Sequence, residues 1–141
     1  MDEQPGVSDE VRLSSPWPMF VALGLTLSEV GIVLNLIPIS VGGLLLFAGS
    51  VAGIVQDAGY VSRPWSLLGT LGAVLVVLGA ILVVTQVTPS VGALVDAVAA
   101  ATTPDANGIV QRGLSVVLAG LVCLVGGVVG RATGRRGIEA A

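Results

Sequence analysis

Glu29 is the one carboxylate set inside an apolar stretch of this chain, in the run Leu27-Ser28-Glu29-Val30-Gly31, while the other eight of its nine acidic residues lie outside the long apolar runs. A carboxyl in such surroundings can carry a proton, hold a cation or donate a hydrogen bond, and it costs on the order of 2.5–3.5 kcal/mol if it lies near the centre of a bilayer. Lipid contact would not offset that cost, so the side chain is expected to face other helices or another subunit. Ser28 adjoins it, and the two make a candidate buried polar site for contact with a partner. One use is proton or cation handling. The other is a structural hydrogen bond to a neighbouring helix or protein, and the lack of a second ionisable group with which to build a relay favours that use. Asn35, further on, reads as a cap or turn residue. Cys123 lies among apolar residues and reads as a small core residue of low reactivity.

The residues that are missing narrow the chemistry further. The chain has no histidine and no lysine, and only one cysteine. It therefore lacks an imidazole base, a His-ligated metal or haem, a Ser-His-Asp triad, a P-loop lysine and an intramolecular disulfide. An enzyme is not expected, and neither is a bound cofactor or metal. No basic cluster marks a nucleic-acid surface.

These residues must be positioned by elements that suit the composition. Of the 141 residues, 54% are hydrophobic and 11% charged, against roughly 25% charged in soluble domains, and mean hydropathy is +0.98. Such a surface belongs in lipid, so the expected class is an all-α membrane protein. About 20 apolar residues are needed to cross a hydrocarbon core of about 30 Å, and the chain offers four runs, at about 17–36, 39–55, 65–87 and 109–130. Residues 1–16 form an acidic tail, 17–130 the four-helix membrane domain and 131–141 a basic tail. Gly59 and Pro64 read as the stop of one helix and the start of the next. Arg12, Arg63, Arg131, Arg135 and Arg136 fall on the side of the two termini and Arg112 on the other, which predicts a multi-pass protein of the cell membrane with both termini cytoplasmic. Trp17, Tyr60 and Trp65 share that inner boundary. Between the third and fourth runs, Val91, Leu94, Val95 and Val98 recur at helical spacing after Pro89-Ser90, which predicts a short amphipathic helix on the outer surface.

The four runs group as two hairpins. A shift of 48 positions aligns Ser14, Pro16, Trp17, Leu23, Gly24, Leu27, Gly31 and Leu34 with Ser62, Pro64, Trp65, Leu71, Gly72, Leu75, Gly79 and Leu82. A 2+2 parallel repeat accounts for this, and so does the convenience of Pro-Trp at a membrane entrance. The second copy has Val77 where the first has Glu29. Gly49 with Gly53, and Gly126 with Gly130, have the four-residue spacing of close helix packing.

The stretch SSPWPMFVALGLTLSEVGIVLNLIPISVGGLLLFAGSVAGIVQDAGY, residues 14–60, resembles a family of small haloarchaeal membrane proteins known as cox cluster proteins, whose genes lie beside those of haem-copper terminal oxidases. The resemblance extends back over the N-terminal DEQPGVSDE and fades in the second half. It implies a non-catalytic accessory or assembly role, with a larger membrane subunit of a respiratory oxidase as the partner. The lack of histidine agrees, since the haem- and copper-bearing subunits need such ligands. A homo-oligomer remains an alternative. Ser28-Glu29-Val30 is also similar to the acid-bearing first span of small multidrug resistance transporters, which implies a proton-coupled transporter using Glu29. This chain departs from that pattern in its long acidic tail, its outer loop of about 20 residues and its lack of aromatic residues midway along the runs.

Overall fold

A computed structural model describes residues 15–140. Residues 1–14, which hold most of the acidic tail, and residue 141 lie outside the described residues. Five helices follow in order: α1 (Trp17–Val33), α2 (Ile37–Asp57), α3 (Pro64–Val84), α4 (Val91–Ala100) and α5 (Gly108–Ala140). The all-helical class is therefore present, with no strand among the described residues. α2, α3 and the stretch Gly108–Arg135 of α5 are long and apolar enough to cross a membrane. α1 has 17 residues, about 26 Å of helix.

The first expected span runs to residue 36, but α1 stops at Val33 because the chain closes a Schellman turn. Leu36 N–H donates to Gly31 O at 2.7 Å and Asn35 N–H to Ile32 O at 3.0 Å, with Asn35 in the left-handed region at φ 58°. That pattern satisfies carbonyls that the helix end leaves open. Gly59, at φ 82°, closes α2 in the same way through Tyr60 N–H to Val55 O at 3.2 Å. Pro38 lies inside the first turn of α2, where its missing N–H costs nothing, so α2 begins two residues earlier than expected. The basic tail is a continuation of α5, which runs without a break to Ala140.

Packing is densest within two antiparallel pairs, α1 with α2 and α3 with α5. The pairs meet mainly where α2 lies against α5. Both seams are built on glycine. A Cβ on Gly24 would stand 2.6 Å from Phe47 N and 2.7 Å from Gly43 O, and one on Gly72 would stand 2.7 Å from Leu124 N and 2.6 Å from Gly120 O. Such distances require bare backbone against backbone.

The two seams share one register. Gly24, Gly31 and Trp17 of α1 correspond to Gly72, Gly79 and Trp65 of α3, each 48 residues later. Their partners Phe47, Ser40 and Gly53 on α2 correspond to Leu124, Val117 and Gly130 on α5, each 77 residues later. At that second offset the chain repeats Gly43, Leu44, Gly49, Val51 and Gly53 as Gly120, Leu121, Gly126, Val128 and Gly130. The offsets differ by 29 residues, which fall between the arms of the second pair and include α4. Matched sequence and matched contacts in both arms favour duplication over a coincidence of Pro-Trp entrances.

The insertion also lengthens the second pair. α5 starts at Gly108, about six residues before the position that corresponds to the start of α2. That extra turn and a half stands above the α1–α2 turn and carries Gln111 and Arg112.

Candidate functional site at the far end of the bundle

The far end is the one at which α1 and α3 finish and α5 begins. α1 reaches it one turn after Glu29, and α5 leaves it one turn before Arg112. The two side chains meet across the bundle: the Arg112 guanidinium donates to both Glu29 oxygens, Nη2 to Oε2 at close range and Nε to Oε1 at 3.5 Å. The second ionisable group that the sequence was not expected to supply is therefore Arg112. Paired guanidinium and carboxylate in this forked arrangement form a charge-assisted contact with fixed geometry. The pair is not enclosed, since the Arg112 and Glu29 side chains are 45% and 48% exposed. Ser28 is buried, with its backbone N hard against the place a Gly43 Cβ would take, so it lies in the α1–α2 seam while Glu29 faces outward.

A second set of contacts lies beside the pair. The Asn35 amide donates to Thr103 O at 2.8 Å and Thr102 O at 3.3 Å. Its oxygen accepts from the Gln111 amide, which also donates to Ala101 O at 2.9 Å. Gln111 is buried, so these bonds satisfy polar atoms that would otherwise be stranded. Asn107 Oδ1 accepts from Ile109 N–H at 2.9 Å, and its amide donates to Gln86 Oε1 at 3.2 Å. Asn107 thus caps α5 and ties the connection from α4 to the end of α3. Asn35 does more than turn the chain, because it docks the α1–α2 turn onto the lengthened second pair.

α4 occupies the region where a short amphipathic helix was expected. It is capped by Ser90, whose Oγ accepts from Ala93 N–H at 3.1 Å. Val91, Val95 and Val98 are exposed, while Ala93 and Ala97 are half-buried.

The four glycines singled out by spacing have different surroundings. Gly49 has open space where a Cβ would go and Gly126 has only Leu68 at 3.6 Å. Gly53 lies under the Trp17 indole and Gly130 under the Trp65 indole. The closest backbone approaches fall instead on Gly24, Gly31, Gly43, Gly72, Gly79 and Gly120. Cys123 is buried on α5 beside Gly72.

Arg112 was visible in the sequence as the one charged residue in the fourth run, with Gln111 beside it. The signal that points from Arg112 to Glu29 is charge balance: one base and one acid, about one turn and about two turns from the same end of their own runs.

A family model described as a family of unknown function matches residues 1–133. No curated protein and no solved structure matches the chain. Since the match covers nearly all of the 141 residues, the chain belongs to this family, DUF7541.

Proposed function

We propose that the chain is a non-catalytic accessory or assembly subunit of a membrane respiratory complex, and that it packs against a larger subunit of a haem-copper terminal oxidase. In this reading α1 is a fourth span. It lies antiparallel to α2 along a continuous glycine seam, and the few ångströms it lacks are within the range that local thinning of a bilayer accommodates. Both termini are cytoplasmic, and α4 rests on the outer surface with Val91, Val95 and Val98 toward lipid.

The observation that carries the proposal is the exposure of the Glu29–Arg112 pair. Ionised groups within membrane helices pair with one another and face protein or a water-filled cavity. Here they are paired, yet about half of each remains uncovered on the bundle surface. Beside Glu29 runs an open groove lined by Leu25, Thr26, Val30, Val33 and Leu34, of about 600 Å³. A protein surface laid over groove and pair removes them from the acyl chains. The class of that partner comes from the resemblance of residues 14–60 to proteins encoded beside oxidases.

Affinity purification of the tagged chain from native membranes in a mild detergent tests the proposal. Haem absorbance and a large oxidase subunit are expected to co-elute with the chain, and Glu29→Leu paired with Arg112→Leu is expected to reduce that yield at least tenfold. Elution of the chain with no oxidase subunit refutes the proposal.

A further inference from the structure

The near end of the bundle, where α3 begins and α5 passes it, holds a cavity of about 490 Å³. Three arginines line it: Arg63, the residue before α3, and Arg131 and Arg135 on α5. Ser62, Ser66 and Trp65 complete its polar and aromatic wall. Among the described residues, none that lines it is a carboxylate. From these features we infer a binding site for a phosphate oxyanion, supplied by the headgroup of an anionic phospholipid.

The chemistry of the lining fits a phosphate on several counts. Guanidinium groups offer forked donors that match phosphate oxygens, and three of them gather enough positive charge to favour an anion over a zwitterion. The Arg131 position is set by the seam: its Nη2 lies 2.9 Å from the place a Gly69 Cβ would occupy, so the absence of a side chain at Gly69 lets the guanidinium lie against the first turns of α3. Arg63 has extended backbone and no side chain caps the start of α3. The helix-start amides therefore add partial positive charge on the same side as the guanidiniums. Ser66 donates its hydroxyl to Arg63 O at 3.0 Å, which fixes the turn that presents Arg63.

The duplicated architecture supplies an internal comparison. At the corresponding place in the first pair, Arg63, Arg131 and Arg135 are replaced by Ser15, Ile54 and Ala58, and Gly134 by Asp57. There Trp17 Nε1–H donates to Asp57 Oδ2 at 2.7 Å, so the first pair closes its near end with an internal hydrogen bond. The second pair has the same tryptophan over the same glycine, Trp65 over Gly130, but an open cavity rimmed by cations. The basic site is thus a property of the second pair and not a by-product of the hairpin. Its depth also suits a lipid. Trp17, Tyr60 and Trp65 all lie at this end of the bundle, and Tyr60 is 84% exposed. Such rings prefer the headgroup level, and basic pockets between helices at that level take acidic headgroups.

Native mass spectrometry of the full chain in detergent, after incubation with phosphatidylglycerol, with phosphatidylcholine or with inorganic phosphate alone, tests the site. One retained phosphatidylglycerol per chain is expected, with little phosphatidylcholine and no retained free phosphate. Arg63→Gln, Arg131→Gln and Arg135→Gln combined are expected to weaken retention roughly a hundredfold, and the three corresponding lysine substitutions to keep much of it. If the glutamine variant does not fold, retention by the unaltered chain must still fall as sodium chloride is raised, the response of a charge-held ligand. Equal retention of the two lipids, retention that ignores both the glutamine variant and salt, or capture of free phosphate in place of lipid overturns the inference.

Discussion

Replacing Gly72 with alanine places a methyl group where backbone already stands. The new Cβ would lie 2.6 Å from Gly120 O, 2.7 Å from Leu124 N and 2.9 Å from the Cys123 Cβ. Ordinary contact begins at 3.4 Å, so the shortest approach falls 0.8 Å short. Neither the carbonyl nor the amide can turn aside, because both are held in the α5 ladder. The two helices must separate by most of that distance, and a gap of 0.5–1 Å forfeits about a quarter to a half of the dispersion energy across the seam. The expected loss is about 1–3 kcal/mol, the usual cost of overpacking. Gly24→Ala is expected to cost a similar amount, because the Gly24 surroundings on α2 repeat those of Gly72 on α5. Gly49→Ala is the contrast: nothing lies within 4 Å of its Cβ position, so stability is expected to hold or rise by up to about 1 kcal/mol through helix propensity. Loss of helical ellipticity during dodecyl sulfate titration of each variant in mixed micelles measures the differences. A Gly49→Ala variant as unstable as Gly72→Ala would refute the assignment of the seams.

The remaining expectations concern the far end. In a double-mutant cycle, Glu29→Gln and Arg112→Gln are expected to be coupled by about 1 kcal/mol, no more, because both side chains are about half exposed; additive effects in the same titration would show that the two groups do not interact. Gln111→Leu leaves Ala101 O and the Asn35 amide oxygen without their buried donor, and a cost of about 1–3 kcal/mol is expected. Asn35→Gly, which keeps the left-handed turn, is expected to unfold later than Asn35→Ala in the same assay, because alanine also opposes the positive φ by about 1 kcal/mol or more.

The helical class, the stop at Gly59 and the start at Pro64 could be read from single residues, because they depend on local rules: apolar run length, a positive φ and a fixed proline torsion. The short helix after Ser90 was legible for the same reason. Glu29 stood out because one charge in an apolar run is conspicuous on its own. Its partner was not legible, because Glu29 and Arg112 are 83 positions apart and only the packing of α1 near α5 makes them neighbours. The glycine pairs illustrate the same limit. A four-residue spacing says that two glycines share a helix face and does not say which face meets another helix, so Gly49 and Gly126 matched the spacing while the closest backbone approaches fell on Gly24, Gly31, Gly43, Gly72, Gly79 and Gly120.

By itself, then, the sequence determined that this chain is a set of apolar helices with no histidine chemistry, because composition, run length and turn residues act over a few positions of chain. It also held the 48-residue echo, though with two explanations. The tertiary structure added that the seams match at offsets of 48 and 77. It set the second pair a turn and a half beyond the first, and so brought Gln111 and Arg112 over Asn35 and Glu29. Those contacts depend on how far one helical pair is displaced along another, a quantity fixed by backbone-to-backbone packing at glycine and carried by no short segment of the chain.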